Sequence, residues 1–212
     1  MTKEILKQIF PGALNQDIES FNFLFNTYNK DFQIISKEDQ AAFLAQVKVE
    51  VGVDLISKRE NLNYTCDALD IFSYYQNHEY EAEQDGRCND HEANQENIGN
   101  KAYGNRLGNG GPETGDGYRF RGGGFFQLTG REHYTNLAKG ISEKLGNEVL
   151  PEELASGIES VFWGLLSAMA YWEKFCTSCP EGDINCITST INHCTDSYNE
   201  RAEIYFEILE LI

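Results

Sequence analysis

The most chemically suggestive residue in the sequence is Glu50, a carboxylate on the apolar side of a predicted helix. Phe43, Val47 and Glu50 are spaced i, i+4 and i+7, so they share one helical face that begins apolar and ends acidic. Burying an unpaired carboxylate is costly, so this position requires a partner or a function. Desolvation there would favour the protonated form, which could act as a proton donor. The alternative is a glutamate at a frayed helix end that reaches water.

A second suggestive stretch begins at residue 108 and combines glycines, aromatic rings and hydrogen-bonding side chains. Eight glycines fall within residues 108–124, which predicts a loop or bent hairpin. The stretch lacks the G-x-x-x-x-G-K-[ST] pattern of a phosphate-binding loop. Its continuation, YRFRGGGFFQLTGREHY, offers flat rings for sugar faces and Gln, Thr and Arg side chains for hydroxyl groups. The composition fits either a sugar-binding wall or an ordinary hairpin with a half-buried aromatic face.

Six cysteines could form disulfides or bind a metal, and four of them lie within nineteen residues. The set is Cys66, Cys88, Cys176, Cys179, Cys186 and Cys194. An even count favours disulfides and an oxidising place of work. The last four could instead hold zinc, although the second pair lacks the spacing of a zinc ribbon, and plain reduced thiols are the third alternative. We expect disulfides, with no metal and no cofactor, and the pairing stays open.

The elements that must position these residues are mainly helical. Ser36 and Asp39 form a weak capping box that predicts a helix over 37–51. Further helices are predicted at 3–29 with an interruption around Pro11-Gly12, from about 68 to 75, at 158–175 as a central buried helix, and at about 196–211. Residues 76–97 are polar and predict a surface excursion. The sequence contains no repeat and no Pro- or Ser-rich linker, so we predict one domain over 1–212.

The charge balance excludes some partners. The sequence has 17 basic and 34 acidic residues, which gives a formal net charge of −17. Nucleic acid and anionic membrane surfaces would both be repelled, so neither is an expected partner. The same charge fits poorly with an anionic cell wall. No stretch approaches the roughly 18 apolar residues of a membrane span, and the first sixteen residues do not resemble a signal peptide.

Five segments, in order, resemble the motifs of family 19 glycoside hydrolases, in particular the compact bacterial and phage-type members. They are IFPGALNQDIESFNFLFNTYNKDFQIISKEDQAAFLAQ, RENLNYT, IGNKAYGNRLGNG, DGYRFRGGGFFQLTGREHY and ITSTINHCTDSYNERAEIY. The resemblance covers nearly the whole chain. It implies a mainly α, lysozyme-like single domain with two lobes, a substrate cleft and a small irregular or β-hairpin region.

The resemblance also implies roles for individual residues. Glu50 matches the general acid and Glu60 the second catalytic carboxylate, with Thr129 sharing the catalytic water. Gln127 and Asn192 match substrate-contacting residues, and Arg201 matches the arginine beside the acid. Three further positions match residues that shape the cleft: Tyr103, Arg106 and Arg121.

These roles imply an inverting mechanism, in which one carboxyl protonates the leaving oxygen and the other activates water on the opposite face of the sugar. The two carboxyl groups of such enzymes lie about 6.5–9.5 Å apart. The sequence departs from the family pattern at Val49 and Val51, where His and Ser are usual, which makes the surroundings of the acid drier. Gly123 stands where a second Arg is usual, which removes a positive charge from the cleft wall.

The predicted function is therefore endo-acting hydrolysis of β-1,4 bonds in peptidoglycan. The alternatives are a chitinase acting on chitin or its oligosaccharides, and an inactive glycan-binding relative. We expect a monomer whose partner is a polysaccharide, with an inhibitor or immunity protein as a further candidate partner. The predicted place of action is outside the cytoplasm, in the periplasm or the extracellular space. Delivery would be by phage lysis, by a secretion system as an effector, or by a leader outside this sequence.

Overall fold

The computed structural model describes all residues from 1 to 212, and most of them are helical. The helices are α1 (Lys3–Ile9), α2 (Asn15–Tyr28), α3 (Lys37–Val51), α4 (Glu79–Asp85), α5 (Gln95–Tyr103), α6 (Asp116–Arg119), α7 (Arg131–Leu145), α8 (Pro151–Gly157), α9 (Val161–Tyr171), α10 (Ile184–Ile191) and α11 (Tyr198–Leu211). Short 3₁₀ turns occupy Cys66–Ile71, Tyr75–Asn77 and Pro112–Thr114, and a π-helical turn, Trp172–Cys176, continues α9. The mainly α prediction is confirmed. No helix has both the length and the apolar character that crossing a membrane requires.

Helix α3 is the element that the sequence predicted best. The Ser36 hydroxyl accepts a hydrogen bond from the Asp39 backbone N–H, and the Asp39 carboxylate accepts one from the Ser36 N–H. This reciprocal cap satisfies two N–H groups that would otherwise have no partner at the helix start. The helix ends at Gly52, whose φ of 74° favours glycine. Its bounds, 37–51, are those predicted.

The polar segment 76–97 differs from the predicted surface excursion, because part of it folds into α4. The Asp85 carboxylate at the end of α4 is buried and accepts hydrogen bonds from the Tyr75 hydroxyl at 2.8 Å and the Lys101 ammonium at 2.6 Å. Ala82 on the same helix packs into a small apolar core. Buried polar contacts therefore help to stabilise α4, whose sequence lacks the hydrophobic pattern that usually predicts a helix.

Two apolar cores define a larger and a smaller lobe. The larger contains 41 buried residues and surrounds α3, where every residue from Ala41 to Val47 is buried. A run of aromatic rings crosses it from Phe10 through Phe43 to Trp172. The smaller core contains Leu62, Leu69, Tyr75, Ala82 and Ile98. The glycine-rich segment contacts both cores, since Phe120 belongs to the larger one and Tyr118 packs against the smaller one.

A two-stranded antiparallel sheet joins the glycine-rich segment to the stretch that follows α3. Strand β1 (Lys58–Arg59) pairs with β2 (Gly123–Gly124), with Arg59 opposite Gly123. A Cβ added at Gly124 would lie 3.0 Å from Ile158, and the φ of this residue is 79°, so only glycine suits the position. The sheet fixes Glu60, which directly follows β1, beside the glycine loop.

Four of the six cysteines form the two disulfides of the structure, Cys66–Cys88 and Cys179–Cys186. The expectation of disulfides is met by these two bonds, and two of the six candidates, Cys176 and Cys194, are free thiols. The reason for Cys176 is its position in the π-helical turn, where its side chain packs into the larger core. The bond between Cys179 and Cys186 joins the turn that follows α9 to the first half of α10.

The two free thiols should differ strongly in reactivity. Burial raises the pKa of the Cys176 thiol to about 12, so it carries almost no thiolate at neutral pH, whereas Cys194 is exposed. We expect iodoacetamide to label Cys194 alone in the native protein and both cysteines in denaturant without reductant. Peptide mass spectrometry measures this, and labelling of Cys176 in the native state would contradict the described core.

Candidate active site

Glu50 lies in the last turn of α3 and forms an ion pair with Arg201 of α11. The Arg201 Nη2 donates to Glu50 Oε1 at 2.6 Å, and the side chains are 2% and 15% exposed respectively. The apolar face of α3 therefore ends in a carboxylate that has a partner, and it does not fray into water. The expected apolar surroundings are incomplete, because a guanidinium lies against the carboxyl group.

Arg201 is itself oriented by neutral acceptors. Its Nη1 donates to Gln46 Oε1, and its Nε donates to the Ser197 hydroxyl at 2.9 Å. Gln46 in turn donates to the Thr188 hydroxyl at 2.9 Å, and both of these side chains are fully buried. A buried guanidinium in which each of the three nitrogens donates to an acceptor has one preferred geometry. We call Glu50, Arg201, Gln46, Thr188 and Ser197 the Glu50 cluster.

The sequence interpretation missed Gln46. One signal was available, because Gln46 precedes Glu50 by four residues and thus lies on the same helical face. A buried amide and a carboxylate in succession on one face indicate a polar partner from elsewhere in the chain. That partner is 151 residues away from Glu50 in sequence.

Glu60 accepts hydrogen bonds on both carboxylate oxygens. The Tyr103 hydroxyl donates to Oε1 at 2.6 Å, and the Gly122 backbone N–H donates to Oε2 at 3.2 Å. Burial and the bond to Glu60 raise the pKa of Tyr103 well above its usual value, so its hydroxyl stays a donor throughout the physiological range. The backbone of Glu60 is fixed as well, because its N–H donates to Gly122 O at 2.8 Å.

Thr129, Gln127 and Glu60 all lie next to the same point beside Gly122. A Cβ added at Gly122 would lie 3.4 Å from Glu60 Cβ, 3.4 Å from Thr129 Oγ1 and 3.1 Å from Gln127 Oε1. The Thr129 hydroxyl donates to Gln127 O at 2.9 Å, which leaves its oxygen free to accept. Gln127 has a φ of 49°, and its amide donates to Lys58 O at 3.2 Å. We call Glu60, Tyr103, Gly122, Thr129 and Gln127 the Glu60 cluster.

The remaining predicted site residues lie around these clusters. Arg121 donates from Nε to the Glu60 carbonyl at 3.2 Å, and its guanidinium lies 3.9 Å from the Tyr118 ring centroid. Asn192 ends α10 and is exposed. Arg106 is also exposed and donates only to Ala102 O, at 3.4 Å. No hydrogen bond joins the Glu50 cluster to the Glu60 cluster.

Similarity to a known protein decides the family, although no family model matches the sequence. Over 173 residues, the chain is 33% identical to a Haemophilus influenzae protein named glycosyl hydrolase family 19 domain-containing protein. The match covers 81% of this chain and 78% of that protein. This chain belongs to glycosyl hydrolase family 19. The resemblance seen in the motifs is confirmed.

The family 19 chain departs from the usual motifs in ways that the structure explains. Val51 is 5% exposed and packs in the larger core, where an apolar side chain fits. A Cβ added at Gly123 would lie 2.9 Å from Ile158, so this backbone leaves no room for an arginine there. The Cδ of Arg59 would be 3.5 Å from that same Cβ.

The bond from Tyr103 to Glu60 leads to a testable prediction. Tyr103→Phe keeps the ring and its packing on Phe72 but removes the donor to Glu60. Hydrogen bonds to charged groups contribute about 1.5–3 kcal/mol, so we expect kcat for glycan hydrolysis to fall about 10- to 100-fold. Tyr80→Phe, at a side chain that is 73% exposed, is the matched control. Initial rates within about twofold of wild type for Tyr103→Phe would show that the bond does not matter.

Proposed function

We propose that this family 19 domain is an endo-acting hydrolase that cleaves β-1,4 glycosidic bonds in peptidoglycan. The observation that carries the proposal is the presence of two separately held carboxyl groups. Glu50 is held by a buried guanidinium, whereas Glu60 is held by a phenol and a backbone N–H. Two carboxyl groups in different surroundings are what acid and base roles require.

In the proposed reaction, Glu50 donates its proton to the glycosidic oxygen as the bond breaks. The carboxylate that remains is stabilised by its charge-assisted hydrogen bond from Arg201. Glu60 removes a proton from water that attacks the anomeric carbon from the opposite face. Its fixed hydrogen bonds aim the carboxylate without further reorganisation.

The remaining assignments are carried over from the family motifs. The Thr129 hydroxyl, near Glu60 and Gly122, orients the attacking water. Six residues bind substrate: Gln127, Asn192, Arg201, Tyr103, Arg106 and Arg121. Inversion at the anomeric carbon requires room for water between the carboxyl groups, and a separation of about 6.5–9.5 Å stays a prediction.

Chitin is the second candidate substrate, because it is neutral and the net charge of −17 does not repel it. Peptidoglycan and chitin are distinguished as substrates by two assays with the same enzyme: turbidity loss of purified peptidoglycan and release of soluble sugars from chitin. We expect peptidoglycan to be cleared faster. If the protein acts on chitin alone, it is a chitinase and the peptidoglycan proposal is wrong. If it acts on neither substrate, an inactive glycan-binding protein is favoured.

We further propose that the protein works outside the cytoplasm. The two disulfides support this place of action, because such bonds persist in oxidising compartments. Peptidoglycan is also located there. Delivery by phage lysis or by a secretion system is compatible with both observations, and an immunity or inhibitor protein would protect a producing cell.

A further inference from the structure

His91 carries the one buried side-chain nitrogen or oxygen of the protein that has no hydrogen-bond partner, its Nε2 atom. Buried polar atoms are nearly always paired, so an unpaired one calls for an explanation, of which an ion ligand is one. The other ring nitrogen, Nδ1, donates to the Asp90 carboxylate at 2.9 Å. A neutral imidazole held in this way keeps its lone pair on Nε2, as metal-binding histidines do.

The Nε2 atom of His91 lies beside the two sulfur atoms of the Cys66–Cys88 disulfide. The three atoms lie within 4.8 Å of one another, and all three residues are half-buried. Cysteine sulfur and histidine nitrogen are ligands that zinc prefers in proteins. No other three cysteine, histidine, aspartate or glutamate side chains of the chain meet at such distances. We call Cys66, Cys88 and His91 the Cys66 cluster.

The backbone holds the Cys66 cluster together through contacts that do not involve the sulfur atoms. The Cys88 N–H donates to His91 O at 3.0 Å, which closes a turn with Cys-x-x-His spacing. The Cys66 N–H donates to Arg87 O at 3.4 Å. Gly86 packs against the same place, since a Cβ added there would lie 2.6 Å from Cys66 Cα. These contacts can keep the three ligands near one another after the disulfide is reduced.

The surroundings of the Cys66 cluster attract a cation. Residues 79–92 contain six acidic side chains and one arginine. Cys66 lines a surface cavity of about 310 Å³ together with four acidic residues, Asp67, Asp70, Glu79 and Glu83. Clustered negative charge raises the local concentration of cations, and the cavity gives an ion a path from solvent to one of the sulfurs.

We propose that the reduced protein binds one zinc ion through Cys66 Sγ, Cys88 Sγ and His91 Nε2. A dithiol reductant supplies two electrons and two protons, is itself oxidised to a disulfide, and leaves both cysteines as thiols. Each thiol then loses its proton to water as the ion binds. Ligand atoms of a tetrahedral zinc site lie roughly 3.5–3.8 Å apart, so the two sulfurs move apart by about 2 Å. Water takes the fourth position.

The zinc ion would crosslink the same two segments that the disulfide joins across 22 residues. A disulfide persists in an oxidising compartment, whereas thiolates that bind zinc belong to a reducing one. The turn that contains Cys66 and the segment that follows α4 would therefore stay tied in both. None of the three ligands belongs to the Glu50 cluster or the Glu60 cluster, so the inference does not depend on the proposed hydrolytic activity.

Zinc binding by the reduced protein tests the proposal. The whole chain is reduced with a dithiol, separated from it under nitrogen, and titrated with zinc in competition with a chromogenic chelator. We expect one zinc ion per chain in the reduced protein and none in the oxidised protein, because a disulfide offers no thiolate. Zinc at about 100 times its dissociation constant should raise the melting temperature of the reduced protein by about 5 °C or more.

Cobalt serves as a spectroscopic probe of the same site. Cobalt bound by the reduced protein should show thiolate charge-transfer absorption in the near ultraviolet and the visible bands of a tetrahedral ion. Zinc should displace it and remove both signals. A cobalt spectrum without thiolate absorption would show that the sulfurs are not ligands and would overturn the assignment.

His91→Ala is the first test variant, because the one side-chain hydrogen bond it removes is to the exposed Asp90. It should weaken zinc binding at least about tenfold with an unchanged circular dichroism spectrum. His133→Ala, at an exposed histidine on α7, is its control and should bind zinc as the wild type does.

Cys66→Ser is the second test variant and should abolish zinc binding. Cys186→Ser removes one thiol from the other disulfide and should leave zinc binding unchanged. Three results would overturn the proposal: a reduced protein that binds no zinc, equal zinc affinity in the wild type and His91→Ala, or equal losses in the two cysteine variants.

Discussion

Glu50→Gln is expected to abolish glycan hydrolysis while the fold stays intact. The amide has nearly the shape of the carboxyl group, and its oxygen can still accept the hydrogen bond from Arg201. It cannot donate a proton to the leaving oxygen. Since a positioned general acid contributes about 10²–10⁴-fold, we expect a loss of at least that size in kcat. Initial rates on purified peptidoglycan measure it.

The control for this variant is Glu207→Gln, which makes the same chemical change at an exposed position on α11. It should keep wild-type activity. Thermal unfolding of both variants should match that of the wild type. If a correctly folded Glu50→Gln protein retains more than about a tenth of the wild-type rate, Glu50 is not the general acid.

Arg201→Met is expected to reduce both stability and activity. It leaves Glu50, Gln46 and Ser197 without the donor that each now has, and the guanidinium it removes is 2% exposed. Each buried acceptor left unsatisfied costs about 1–3 kcal/mol. Because Glu50 can still reach water, we expect the free energy of unfolding to fall by about 2–4 kcal/mol.

Urea denaturation at neutral pH measures that loss, and Arg87→Met, at an exposed arginine, is the control. Arg201→Lys restores the charge but cannot donate to three acceptors in one plane, so it should recover part of the stability and little of the activity. If Arg201→Met changes stability by less than about 0.5 kcal/mol, as surface substitutions do, the buried network is not a stabilising element.

Much of the larger lobe could be predicted because its signals are local. The bounds of α3 follow from Ser36, Asp39 and Gly52, which are close in sequence to the turns they cap. The position of Glu50 follows from the same helical period. The interruption between α1 and α2 follows from Pro11 and Gly12, which disfavour continuation of a helix.

The partners of the catalytic candidates could not be derived from local pattern. Arg201 reaches Glu50 across 151 residues and Tyr103 reaches Glu60 across 43, so both contacts depend on how whole helices pack. The family motifs indicated roles for Arg201 and Tyr103. They indicated none for Gln46. The pairing of Arg59 with Gly123 could not be predicted for a similar reason, because it joins two segments that are distant in sequence.

The two free cysteines could not be predicted from the sequence for a different reason. The even number of cysteines favoured disulfides without indicating which residues pair, and two of the six are free thiols. Cys176 is held in the larger core by the π-helical turn, so packing takes precedence over crosslinking there. Spacing in sequence carries no information about burial of this kind.

Analysis of the new chain ends tests the central claim most directly. Purified peptidoglycan is digested, the products are reduced with borohydride, and the terminal sugars are identified by mass spectrometry. Hydrolysis of a β-1,4 bond creates one new reducing end for every bond cut, so the wild type should yield reduced terminal sugars in step with solubilisation. The Glu50→Gln and Glu60→Gln proteins should yield none. Three results would contradict hydrolysis of the glycan by two carboxyl groups. The first is solubilisation that produces anhydro-sugar ends, and the second is release of peptides without new reducing ends. The third is an unchanged rate of solubilisation in the Glu60→Gln protein.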